Sequence, residues 1–201
     1  PLPQVISAIF KNPELVAYTA ALIIVSVCSN GISFESVYMQ QLGASDAVIG
    51  RLSTLGALVE IPMMLLADRL MRRKGATITI ILGWSFYCLG TLVIVIHPAV
   101  ISFVLVRVVL GLSFSLTAVS GTYYVVDRAP AAQTGTILAF FSVTVSSIIG
   151  IVASPISGTL FDKLGAYWLY VIAAAGYGLG AAIILIMVLR KKNEKASTVQ
   201  G

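Results

Sequence analysis

Charge is scarce in this sequence. Asp, Glu, Lys and Arg make up 10% of its 201 residues, against about 25% in an ordinary soluble chain. So few charges cannot cover a water-facing surface, which excludes a soluble globular domain. A single histidine, His97, and two cysteines, Cys28 and Cys88, are present. They form no His/Cys/carboxylate set at metal-ligand spacing, so no metal is expected. The cysteines lie inside apolar runs and read as reduced packing residues with no disulfide role. No Gly-rich loop leads into Lys-Ser or Lys-Thr, and no serine sits in a nucleophile elbow. Nothing points to an enzyme, a cofactor or phosphate-driven pumping. The chain opens Pro-Leu-Pro without Met or a signal-peptide layout, a start that reads as the middle of a longer protein.

Apolar residues make up 58% of the chain and the mean hydropathy is +0.99, so lipid is its natural solvent. Six apolar runs are predicted as spanning helices: 14–41, 46–68, 75–96, 99–126, 132–161 and 166–189. Residues 1–13 read as a linker, 14–190 as a six-helix bundle, and 191–201 as a polar, disordered tail. The net charge of +5 would suggest nucleic acid in a soluble protein. Here Lys and Arg collect at the ends of apolar runs, and nucleic acid is not expected as a partner. Lys11, the Arg69–Lys74 cluster, Arg128 and Arg190–Lys192 fall on one side, with Lys163 on the other. That bias predicts both termini in the cytoplasm of a plasma (inner) membrane protein.

A repeat is visible between the second and fifth runs. Leu66-Ala67-Asp68-Arg69-Leu70, with Gly75-Ala76 a few residues on, matches Leu160-Phe161-Asp162-Lys163-Leu164-Gly165-Ala166. Each run is the middle of three and the two leave on opposite sides, as a three-plus-three inverted repeat requires. Asp-Lys-Gly turns also occur at unrelated helix ends.

Within or near the spans stand Glu35, Arg51, Glu60 and Arg107. A charge in hydrocarbon must face protein or a wet cavity. Glu60 is roughly 21 Å from the outer end of its helix and Arg107 roughly 13 Å, so a long Arg side chain could pair with the carboxylate. Such a pair reads either as a substrate- or proton-binding site or as a structural ion pair. Arg107 can also snorkel to the outer headgroups. Glu35 suits a rim or a cavity, and Arg51 an interface. Ser26, Asn30, Ser33 and Val37 share one helix face, and Ser113, Thr117, Ser120 and Tyr124 another. Each face suits either a cavity or helix packing. Tyr38, Trp84, Tyr123 and Tyr124 are candidate ring contacts, with aromatic-belt anchoring as the competing reading. Gly176, Gly178 and Gly180 suit close helix packing.

These residues resemble the C-terminal six-helix half of a major facilitator superfamily transporter. The loop from Ala67 to Lys74 is similar to the family's signature, Gly-x3-Asp-(Arg/Lys)-x-Gly-Arg-(Arg/Lys), with Met64 and Met71 in place of its two glycines. Leu42–Ser45, Glu60-Ile61-Pro62, Gly111–Phe114, Asp127–Pro130 and Gly158–Gly165 resemble the branch of lactose and phenylpropionate permeases. The resemblance implies an all-α fold, half of a major facilitator fold, and secondary transport of a small organic solute such as a sugar, nucleoside or organic acid. It implies Glu60 or Glu35 as the proton-handling carboxylate; Arg107, Asn30 and Tyr38 are the candidate solute contacts that the residues themselves offer. It also implies a cytoplasmic gate of Asp68, Arg69, Asp127 and Arg128, with Asp68 meeting the helix start near Gln133-Thr134. Leu110 stands where that branch often has a histidine. The implied partners are a proton, the lipid bilayer, and an N-terminal six-helix bundle or a second copy. An uncoupled facilitator or effluxer and a non-transporting scaffold subunit are the alternatives.

Overall fold

The computed structural model describes residues 2–199, and every element among them is helical. Helix α1 (Leu2–Phe10) lies where a linker is expected. Six helices long and apolar enough to cross a membrane follow: α2 (Pro13–Gln41), α3 (Asp46–Lys74), α4 (Ala76–Ile96), α5 (Val100–Val126), α6 (Ala131–Leu164) and α7, which spans over Ala166–Lys191. The α7 helix runs on to Val199, through residues expected to be disordered. Lys, Glu and Ala are good helix formers and continue the ladder there. The last two tail residues lie outside the described residues.

Local chemistry sets the element ends. The Asn12 side chain accepts the Glu14 amide at 3.0 Å and Pro13 occupies the first helical position, which starts α2. Within α2, Asn30–Phe34 tightens into a 3-10 turn. Pro62 in α3 and Pro155 in α6 each remove one ladder hydrogen bond. Phe140–Val145 of α6 widens into a π-helical turn that carries Phe141 and Val145 into the core.

The bundle repeats itself. α4 packs on α5 as α7 packs on α2, α4 and α7 pack on each other, and α3 leans on α5 as α6 leans on α2. The middle helices end alike. Gly75 (φ 83, ψ 157) and Gly165 (φ 82, ψ 167) both adopt a backbone that favours glycine, and each leads straight into a buried alanine, Ala76 or Ala166. The repeat is therefore keyed on the glycine. Asp68 and Asp162 stand at different distances from it, because α3 continues about one turn further before its glycine.

Burial is uneven. The spans α4, α5 and α7 are each 39% buried, α6 22% and α3 only 11%. The two middle helices therefore keep apolar faces that no described residue covers, among them Leu58, Ile61 and Leu65 on α3 and Ile148, Ile151 and Val152 on α6. The core forms two clusters. One, toward the basic end, holds Tyr18, Trp84, Tyr124 and Phe141. The other, toward the opposite end, holds Tyr38, Phe103 and Tyr170. Exposed Tyr167 and Trp168 mark the opposite interface.

Buried hydroxyls close on their own helices. Thr79, Thr91, Ser113 and Ser115 donate to carbonyls four residues back at 2.6–3.0 Å. The face of Ser113, Thr117, Ser120 and Tyr124 is thus mostly packing. Backbone contact is closest at α7, where a Cβ on Gly176 would lie 2.2 Å from Cys28 Cβ and one on Gly180 would lie 2.3 Å from Val25 Cγ2. Gly180→Val should destabilise the bundle by about 1–3 kcal/mol. Gly150→Val, whose Cβ meets open space, should change little. Thermal unfolding of the two variants in detergent, followed by tryptophan fluorescence, checks the difference.

Candidate functional site

α2 and α5 run antiparallel without close backbone packing, and long side chains bridge them. Near the end opposite the basic one, Arg107 Nη2 donates to Glu35 Oε1 at 2.5 Å. The two side chains are 15% and 22% exposed, so they satisfy each other largely out of solvent. At the basic end, Arg128 Nε donates to Glu14 Oε2 at 2.5 Å. Glu14 and Glu35 are 21 residues apart in α2, and Arg107 and Arg128 are 21 apart in and just beyond α5. The pairs therefore share one register and hold the helix pair at two levels, about 30 Å apart. Tyr18 and Tyr124, at that same register, fill the gap with ring centroids 4.8 Å apart.

The Glu35–Arg107 pair corrects one expectation: Arg107 does not bind Glu60. Arg107 and Glu35 each lie roughly 10 Å from the ends of their helices opposite the basic end, whereas Glu60 lies about 21 Å down α3 from that side. Depth selects Glu35. Arg107 instead packs along Gly56, one turn above Glu60, where an added Cβ would lie 3.3 Å from Cδ. Glu60 is half-buried, and its backbone carbonyl accepts Ser115 Oγ at 3.4 Å. Among the described residues no cation pairs with its carboxylate.

Around the Glu35–Arg107 pair, Tyr38 is buried edge-on to Phe103 and against Tyr170. Two buried donors there lack a hydrogen-bond partner among the described residues: Arg107 Nε and the Tyr170 hydroxyl. Asn30 is half-buried in the 3-10 turn, more than a helical turn before Glu35. Tyr170 was not singled out from the sequence. It sits in an apolar stretch of α7, and only packing carries it to Glu35 and Arg107.

Of the expected gate residues, Arg128 is central. Its guanidinium lies 3.8 Å from the Tyr124 ring centroid, and Nη2 donates to Thr77 Oγ1 at 3.4 Å. Lys191 also pairs with Glu14, which joins α2, α4, α5 and α7 at one point and places the start of α2 and the end of the α7 span on the same side. Glu14 is missing from the sequence-derived set. Its signal was the Asn12-Pro13-Glu14 helix start, which accounts for an acid in the first turn without any partner. Asp68 accepts from Arg72 Nε at 2.9 Å, one turn along its own helix. That engagement differs from the expected contact near Gln133-Thr134. Arg72 also reaches the Tyr123 hydroxyl at 3.5 Å. Arg69 and Asp127 are exposed.

Between α2, α5 and α6 lies a cavity of 190 Å³ lined by Tyr18, Thr117, Thr122, Ser142 and Ser146, among others. The π-helical turn shapes it, since Ser146 Oγ donates to the carbonyl five residues back, on Phe141, at 3.3 Å. Its hydroxyls suit a polar solute. Apart from Thr117, these residues escaped sequence reasoning because they are spread over three helices.

A family model described as MFS_1 like family matches residues 2–172. No curated protein matches the chain.

Glu35→Gln leaves the Arg107 guanidinium unpaired in a largely dry site and should cost about 3 kcal/mol of bundle stability. The exchanged pair, Glu35→Arg with Arg107→Glu, should recover most of that loss. Unfolding in detergent checks both. A swapped variant as unstable as the single one would show that each group has separate partners.

Proposed function

The chain belongs to the MFS_1 like family, a family of membrane transporters, and we propose that it carries a small organic solute by proton-coupled alternating access. The observation that carries this reading is Glu60. It lies deep in an apolar span, half-buried, with no ion-pair partner among the described residues. An unanswered carboxylate in hydrocarbon is costly, and taking up a proton removes the charge. Glu60 therefore acts as the proton-bearing group, loaded from one side of the membrane and unloaded to the other.

Arg107 supplies the polar contact for the solute. Glu35 holds its terminal nitrogen, while Nε and the neighbouring Tyr170 hydroxyl are buried donors that a solute would reach only once the helices move apart. Such donors suit a sugar, a nucleoside or an organic acid. The hydroxyl-lined cavity between α2, α5 and α6 offers a second set of contacts. The uncovered faces of α3 and α6 supply the surface against which another six-helix bundle, or a second copy, would rock. The Glu14–Arg128–Lys191 cluster closes the basic end and, with Asp68–Arg72, forms the gate on that side. The excess of Lys and Arg at this end supports a cytoplasmic position for it, in the plasma membrane, with both termini inside.

In proteoliposomes tested with radiolabelled sugars, nucleosides and organic acids, Glu60→Gln should keep solute exchange at equal pH and lose accumulation driven by a pH gradient. Full pH-driven accumulation by that variant would remove Glu60 as the proton site. Membrane orientation is tested separately. In intact cells an impermeant maleimide added outside should label a cysteine introduced at Lys163 and spare one introduced at Lys11.

A further inference from the structure

At the basic end the start of α4, the end of the α7 span and the start of α2 enclose a hollow of 460 Å³. Three cations line it, Lys74, Arg128 and Lys191, against one carboxylate, Glu14. Arg128 is spent on Glu14, Thr77 and the Tyr124 carbonyl. Glu14 is shared between Arg128 and Lys191, and Lys74 is exposed and makes no ion pair among the described residues. Among the described residues the hollow therefore has a surplus of positive charge with no anion to answer it.

Its remaining walls are apolar: Ile78, Met187 and Val188. They adjoin side chains that face outward from the bundle, with Ile78 46%, Ile186 51% and Leu189 51% exposed. A neighbouring hollow of 690 Å³ shares Glu14, Met187 and Lys191 and adds Arg190 and Ile186. Cations at the membrane interface thus stand directly beside acyl-facing walls.

We infer that this hollow binds the phosphate of an anionic phospholipid, with Lys74 and Lys191 on the phosphate oxygens and an acyl chain along Ile78 and Val188. The phosphate offers Lys191 a second anion beside Glu14, so the lipid bears on the cluster that ties four helices together. Basic hollows between spanning helices are suited to anionic headgroups. Free phosphate shares the polar half of this chemistry and lacks the apolar half.

The test uses the full protein purified in detergent. It is titrated with dioleoyl phosphatidylglycerol, dioleoyl phosphatidylcholine or inorganic phosphate, with bound lipid counted by native mass spectrometry and stability followed by thermal unfolding. Phosphatidylglycerol should bind and raise the unfolding temperature, while phosphatidylcholine and inorganic phosphate should not. Lys74→Gln should weaken phosphatidylglycerol binding about fivefold, the effect of one lysine near an anionic headgroup. Arg73→Gln, which removes a charge beside the hollow but outside its lining, should leave binding nearly unchanged. Ile78→Trp, which crowds the apolar wall and keeps every charge, should weaken it. Equal losses from Lys74→Gln and Arg73→Gln would reduce the effect to general surface charge and overturn the site. Protection by inorganic phosphate equal to that by the lipid, or undiminished binding in Ile78→Trp, would overturn the lipid assignment.

Discussion

Two ion pairs set the spacing of α2 and α5, and much of the bundle is arranged around that spacing. Glu14 with Arg128 and Glu35 with Arg107 share one register of an antiparallel helix pair. For Glu35 and Arg107, which lie within the spans, hydrocarbon solvates neither partner, so each charge is tolerable only where the other meets it. The helices are held apart at side-chain length, and the interval between the pairs is left for rings and hydroxyls. Tyr18 and Tyr124 occupy it toward the basic end, while Tyr38 and Phe103 pack just beyond the Glu35–Arg107 pair at the other. The hydroxyl-lined cavity opens beside the first of these ring pairs.

Elsewhere the helices approach by a different means. Lipid tails are as apolar as leucine, so helices associate in a membrane through close packing and local hydrogen bonds. Gly176 and Gly180 bring α7 against α2 and α4, and buried Ser and Thr close on carbonyls four residues back. Rigid packing therefore belongs to α4, α5 and α7, with polar bridging between α2 and α5. The middle helices α3 and α6 are attached by one side each. A bundle with one firmly packed wall and two open middle helices is suited to being one of two moving parts. Glu60 stands on the more open of those two helices.

The three groups of charge have distinct local settings. Glu35 is paired, and its arginine retains a free donor beside Tyr170. Glu60 has no ion-pair partner among the described residues. Glu14 is doubly paired, inside a cluster with a surplus of cations. A paired acid positions its arginine, an unpaired acid can exchange a proton, and a cationic surplus attracts an anion.

The sequence alone determined the all-helical class, five of the six spans to within about three residues of their observed bounds, and the end of the bundle at which positive charge collects; the second span runs on past its expected end at 68 to Lys74. Those features follow from local composition, since about 20 apolar residues in lipid must close their own hydrogen bonds as a helix. The glycine-alanine step that marks the repeat was also legible, because a left-handed backbone selects glycine wherever it occurs. Which acid meets which arginine was decided only by the tertiary structure. Glu35 and Glu60 look alike as isolated carboxylates in apolar runs, and the depth of each at the α5 interface separates them. Glu14 read as a helix start until the ends of α5 and α7 arrived beside it. Tyr170 read as an apolar-run tyrosine until α7 carried it to Glu35. Partners far apart in sequence leave no periodic trace, because their meeting depends on helix offsets and crossings that no single segment encodes.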